Sequence, residues 1–227
     1  MKMVFEKFES SLPIQKNAIN VIRIEDRSLF ARCTQSLASG FSEDCLEPAF
    51  FFDNENHELK PDKILFFLGD PITIDLNDKR ILSQAIKVLV SRVISESNII
   101  QRLETLNYQI EDLFEELFIQ MSADYSFVSE LDISKELKLF GFSIEENNCL
   151  DIPAKLNHLL RIMADLFPNK IVCFVNLRTY LSDKQYNEFC QLAIALQIRI
   201  LSYEQGSSAR FENLDNGLFI DANYLEN

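Results

Sequence analysis

The stretch KIVCFVNLRTYLSDKQYNEFCQLAIALQIRIL, residues 170–201, decides the fold class. Ile171-Val172-Cys173-Phe174-Val175 is an unbroken apolar run of strand length, and the lack of polar alternation predicts a strand covered on both faces. After the loop Asn176-Leu177-Arg178-Thr179-Tyr180, Ser182 and Gln185 stand at the spacing of a capping box and predict a helix to about Leu196. Ile198-Arg199-Ile200-Leu201 is the next strand. Strand, helix and strand in so short a span form the building unit of a parallel sheet, so the fold class is α/β.

Working outward, Asp151 and Pro153 suit the start of a helix running through Leu166, and Leu218-Phe219-Ile220 adds a further strand. Near the other end, three apolar runs read as strands: residues 19–24, 49–52 and 64–69. Asp26 can cap a helix from about Arg27 to Ala38, with Leu29, Phe30, Cys33 and Leu37 on one face. The chain therefore opens as strand, helix, strand. Between Ile72 and Phe140 there is neither Gly nor Pro. From Leu82 the apolar residues step by fours and threes through Ile86, Leu89 and Val93, pass Glu96, and continue to Met121. This register predicts one very long helix; forty residues of helix extend ~60 Å, which calls for a second helix to pack against, and residues 133–140 are the candidate. The domain reading is an α/β body formed by residues 1–78 and 151–227, interrupted by a helical insertion at 79–150.

Composition excludes several classes. Apolar residues make up 47% and charged residues 25% of the 227, which argues against disorder and for a buried core. Gly and Pro are scarce, Trp is absent and Phe reaches 19, so an all-β architecture is disfavoured and phenylalanine fills the interior. No apolar run approaches the ~20 residues that span a bilayer, and the start MKMVFEKFES has acids where a signal peptide is greasy, so a cytoplasmic protein is expected. The 22 Lys and Arg against 35 Asp and Glu give a net charge of −13, which at first sight excludes nucleic acid. The charge is uneven, however. Residues 101–150 hold 3 basic and 11 acidic residues, whereas Lys79, Arg80, Lys87 and Arg92 occur with no acid among them. Fields act locally, within about 10 Å at ordinary salt, so a basic patch can coexist with an acidic exterior.

Motifs for chemistry are sparse. The five glycines, at 40, 69, 141, 206 and 217, form neither G-x-x-x-x-G-K-[ST] nor G-x-G-x-x-G, so no phosphate cradle of those kinds exists. The loop at Asn176–Tyr180 leaves a buried strand at its carboxyl end, where open α/β sheets bind ligands, but it could equally brace the following helix; Arg178 is its most functional-looking residue. Five scattered cysteines and two histidines, His57 and His158, suggest neither a zinc site nor a catalytic triad. Glu111 and Glu115 lie on one helical face within the acidic middle, a pattern that suits a solvated face or the oxygen-rich surroundings calcium requires. Cations on the element starting at Lys79 would meet phosphates rather than bases and so bind without sequence preference.

Three segments carry a resemblance: VIRIEDRSLFARCTQSL (21–37), DPITIDLNDKRILSQAIKVL (70–89) and VCFVNLRTYLSDKQYNEFCQLAIALQIRILSYE (172–204). In that order they resemble the CRISPR-associated Csn-two family, the accessory protein of type II-A CRISPR systems. The resemblance implies a P-loop-like α/β head without a Walker motif and an extruded long-helix, coiled-coil-like leg. It implies a homotetrameric ring that binds double-stranded DNA ends, assists the integrase proteins and the effector nuclease in acquiring new spacers, and has no catalytic residues. By position, the DNA contacts would be Arg23, Arg27, Lys79, Arg80, Lys87, Arg92 and Arg178. Ca2+ would be held by Glu111, Glu115, Asp124, Glu130 and Asp132. The competing readings are a metal-dependent phosphohydrolase or nuclease using the acidic cluster, and a protein-binding scaffold built on the long helix.

Overall fold

The computed structural model describes residues 1–7, 10–123, 125–126, 130–146 and 151–223. The chain forms two compact units, Met1–Asp75 with Glu146–Asn227, and Leu76–Glu145. In chain order the first unit begins with β1 (Lys2–Phe5), β2 (Ser11–Pro13), β3 (Ile19–Ile24), α1 (Arg27–Ala38) and β4 (Ala49–Phe52). The short β5 (Glu58–Leu59), the single turn α2 (Pro61–Ile64) and β6 (Leu65–Gly69) follow. The second unit holds α3 (Lys79–Ser95), α4 (Ser97–Phe118) and α5 (Ile133–Leu139). The chain then returns to the first unit as α6 (Ile152–Leu166), β7 (Ile171–Val175), α7 (Asp183–Ala195), β8 (Arg199–Gln205) and β9 (Asp215–Ile220). The protein is mixed α/β.

Five strands form a parallel sheet in the order β6-β7-β8-β3-β9. β7 lies inside the sheet and all five of its residues are buried, as an unbroken apolar run requires. Successive side chains of a strand point to opposite faces. Ile171 and Cys173 share a core with Leu29, Cys33 and Leu37 of α1, while Phe174 meets Phe189 of α7 edge to face at 6.0 Å and 83°. Thus α1 and α7 cover opposite faces. The caps foreseen from sequence are made: the Asp26 carboxylate accepts from the Leu29 amide at 2.6 Å, Asp151 from Ala154 at 2.8 Å, and Ser182 and Gln185 form a complete capping box.

The opening strand, helix and strand do not belong to one sheet. β4 pairs antiparallel with β1 and β5 in a second, four-stranded sheet of order β2-β1-β4-β5, which lies outside the parallel sheet. Its composition explains this: Ala49 and Phe51 are buried but Phe50 is exposed, so the run of aromatics alternates and buries only one face. Met3, Phe5, Leu12 and Phe51 deliver that face to the α1 side of the core.

The helical unit also departs from expectation. The predicted single helix is two, broken at Glu96, whose φ of −106° and ψ of 89° are not helical. The sequence Ser95-Glu96-Ser97-Asn98 supplies the reason: short polar side chains compete for backbone bonds, and the Ser95 hydroxyl donates to the Arg92 carbonyl at 2.7 Å. The register also places a charge here, so no burial opposes the break. α5 packs against α3. Asn77 joins the two ends of the unit, accepting from the Ile144 amide at 2.7 Å and donating to its carbonyl at 3.2 Å. Among the described residues no helix is long and apolar enough to cross a membrane.

Candidate nucleic-acid interface

The seven basic residues singled out from sequence fall into two groups, one in each unit. In the helical unit, Asp78 caps α3 by accepting from the Arg80 amide at 2.7 Å, which starts the helix at Lys79. No acid follows until Glu96, so the positive end of the helix dipole and four cations share one element. Arg80 and Lys87 are seven residues apart, about two turns, and face away from the buried Ile81, Ala85 and Ile86. All four cations are exposed. Arg80 is already engaged: its Nε and Nη2 donate to the two oxygens of Asp78 at 3.0 and 3.1 Å. That guanidinium holds the Asp78 carboxyl below its usual range, against the opposing effect of burial. Among the described residues no carboxylate pairs with Lys79, Lys87 or Arg92.

The second group lies at the carboxyl edge of the parallel sheet. Arg27 begins α1 just after β3 and is exposed. Arg23 and Arg178, by contrast, are turned inward. Arg23 Nη1 donates to the Ser208 carbonyl at 2.9 Å and to the Arg210 carbonyl, and its guanidinium lies over the Phe211 ring at 5.0 Å. Arg178 donates to Glu212 at 2.9 Å and to Asp183 at 2.8 Å, over the Tyr186 ring at 4.4 Å. The loop around it is braced throughout: Asn176, in the left-handed region at φ 54°, accepts from the Gln205 amide, and Tyr180 donates to Asp70 at 3.0 Å. The bracing role foreseen as an alternative for this loop is the one its contacts make.

Sequence reasoning missed Glu204, at the end of β8. It is 5% exposed and accepts from the Ser202 hydroxyl at 2.5 Å and the Arg178 amide at 3.4 Å. Burial pushes its carboxyl above the usual range, and these bonds only partly offset the shift. The partners of Arg80, Arg23 and Arg178 were missed as well. Asp78-Lys79-Arg80 offered a local signal for the first; Phe211 and Glu212 are far from Arg23 and Arg178 in sequence and offered none.

The described acids proposed for calcium lie on α4, at the cap of α5 and in the segment before it. Glu111 and Glu115 lie on α4, and Glu111 accepts from the Asn107 amide group at 2.6 Å. Asp132 caps α5, accepting from the Lys135 amide at 3.0 Å, and pairs with the Lys135 ammonium at 3.2 Å; Glu130 is exposed, and Asp124 lies outside the described residues. Among the described residues no three His, Cys, Asp or Glu side chains come together as metal ligands. Calcium takes six to eight oxygens, more than any one of these described acids supplies.

Cys33, Cys173 and Cys190 are buried, and burial pushes the Cys33 and Cys190 thiols up to about 12 and Cys173 higher still. His57 sits on the surface beside Asp53 at 3.2 Å. Cys149 lies outside the described residues. In the helical unit an apolar groove of about 730 Å³ runs between α4 and α5, lined by Leu103, Ile110, Phe114, Phe118, Leu131 and Phe140.

Comparison with curated proteins gives no match. The model of one protein family does match, described as CRISPR-associated protein (Cas_Csn2), over residues 41–221, most of the chain and both of its units. The chain belongs to the Cas_Csn2 family of CRISPR-associated proteins.

Proposed function

We propose that this CRISPR-associated protein binds double-stranded DNA ends without sequence preference, as a homotetrameric ring, and supports the acquisition of new spacers alongside the integrase proteins and the effector nuclease. In this reading the α/β unit is the P-loop-like head, the helical unit is the leg, and the protein is not an enzyme. The observation that carries the DNA reading is α3: exposed Lys79, Lys87 and Arg92 on an acid-free helix, with no carboxylate paired to them among the described residues. Such cations contact phosphates, which gives affinity without base readout and a steep salt dependence. Self-assembly is supported by α4, where Leu106, Ile110, Leu113 and Leu117 are each more than half exposed.

The test is to incubate the protein with linear and covalently closed circular duplex, each with calcium or chelator, and to follow retention and cleavage. Retention of linear duplex without cleavage is expected. Indifference to both DNAs refutes the reading, and metal-dependent cleavage favours the nuclease alternative. Reversing Lys87 and Arg92 to Glu should weaken retention for every sequence alike and flatten the salt slope by about one for each phosphate no longer neutralised. The native mass should be unchanged; dissociation of the assembly would make these residues structural.

A further inference from the structure

Residues 206–214 join β8 to β9 and cross from the carboxyl edge of the parallel sheet, where Gln205 pairs with Ile24, to its amino edge, where Asp215 pairs with Ile19; three side-chain fastenings hold them down. Arg23 grips the backbone at the Ser208 and Arg210 carbonyls. Arg178 holds the Glu212 carboxylate at 2.9 Å. Phe211 lies against Gly217, and a Cβ added at Gly217 would overlap its ring. Both inward-turned arginines thus bind the same short segment.

The segment is lightly held otherwise. Ser207 to Arg210 are exposed, and the Arg210 amide donates to the Ser208 hydroxyl at 3.2 Å. Its two ends are pinned by backbone bonds, from Gly206 to the Ile24 carbonyl at 3.1 Å, from Ile19 to the Leu214 carbonyl at 2.9 Å and from Asp215 to the Glu212 carbonyl at 3.0 Å, and the Glu212 amide donates to the Asp215 carboxylate at 2.9 Å. The carboxylates on Arg178 are themselves solvent-facing, Glu212 at 55% and Asp183 at 93% exposure, so water and salt compete with both pairs. A phosphodiester offers Arg178 the same paired-oxygen geometry as a carboxylate, without being tied to this segment.

We infer that Gly206–Asn213 is a strap that masks Arg23 and Arg178, and that it lifts to let both arginines reach a phosphate backbone. The inference rests on the proposed binding of duplex DNA and adds a closed and an open state to it. When the strap is closed, Asp183 and Glu212 occupy the Arg178 guanidinium, and the edge repels a polyanion. Lifting removes Glu212 and the two carbonyl acceptors together. Gly217 acts as the notch and Phe211 as the wedge; the Gly217 backbone lies outside the left-handed region, so an alanine there strains only the contact with Phe211.

Two variants open the strap by different routes. Gly217→Ala fills the notch, and Phe211→Ala removes the wedge while leaving the notch intact. Limited trypsin digestion without DNA reads the strap directly, because Arg210 is an exposed cleavage point held by its own carbonyl. Both variants should be cut there about tenfold faster than the unmodified chain. Both should also retain linear duplex more tightly, by about three- to tenfold, and adding Arg178→Ala to either should cancel the gain. Equal digestion of all three proteins overturns the strap, as does faster digestion without tighter retention in a protein that retains duplex through α3. If no form retains duplex, the DNA reading falls and the masking role falls with it, while the digestion rates still report whether the segment opens.

Discussion

β7 and α4 are both rich in apolar residues and meet opposite fates. The residues of β7 are at most 8% exposed, whereas α4 has no buried residue and Leu113 is 62% exposed. Periodicity records which face of an element is apolar; what covers that face is decided by neighbours in space. In the α/β unit the neighbours belong to the same chain. For α4, the described residues of the chain leave the apolar face open, and the proposed assembly of several copies is the reading that would close it.

The largest effect that could break this contrast is a pair of truncations. Phe174→Ala should cost about 3–5 kcal/mol in denaturant unfolding, since it empties a site walled by Phe189 and the sheet. Leu113→Ala should change stability by no more than about 0.5 kcal/mol at low protein concentration. Comparable losses for both would show that the α4 face is already covered in the protein as it exists in solution. A loss for Leu113→Ala that grows with concentration would identify another copy of the chain as the cover.

Asn20 gives the next effect, from inside the packed unit. It is fully buried on β3, donates to the Ile200 carbonyl at 2.7 Å and to the Gln15 carbonyl at 3.1 Å, and accepts from the Gln15 backbone amide and the Asn216 side chain at 2.9 Å each. Asn20→Ala leaves buried backbone groups without partners and should cost about 1–3 kcal/mol by thermal or denaturant unfolding. A neutral result would mean that water reaches this side of the sheet. The contrast with α4 would then be one of degree.

How far the sequence was legible follows the same division. β3, α1, β7 and α7 were readable because local signals agreed: an apolar run, a cap at Asp26, a capping box at Ser182. The second sheet was not, because β1 and β2 are short and β4 reads as continuously aromatic although only alternate residues are buried. The break at Glu96 was written in Ser95-Glu96-Ser97-Asn98, but the apolar register on either side outweighed it. At the candidate site the cations of α3 were visible as a local excess of charge. Whether each is free is a matter of partners: Asp78 was within reach of a local reading, and the holders of Arg23 and of the Arg178–Glu212 pair come from 34 to 187 positions away.

The smallest effects set one carboxylate of each unit against the other through pH. Asp78 in the helical unit is held below the ordinary carboxylate range by Arg80, so its contribution is present above that range and is lost as pH falls through its folded value. Asp78→Asn keeps a capping side chain but removes the charge; at neutral pH it should destabilise by at most about 1 kcal/mol, because both partners are partly exposed, and the difference should vanish in acid. Glu204 at the end of β8 runs the other way. Burial raises its carboxyl, so folding favours the protonated form, and stability is lost as pH rises from the ordinary carboxylate value through the folded one. Glu204→Gln should therefore raise the melting temperature at neutral pH and converge on the unmodified protein in acid, where Glu204 is protonated in both folded and unfolded states. If Glu204→Gln instead lowers stability at neutral pH, the ionised carboxylate is serving Arg178 and the carboxyl edge of the sheet, and the burial penalty is the lesser effect.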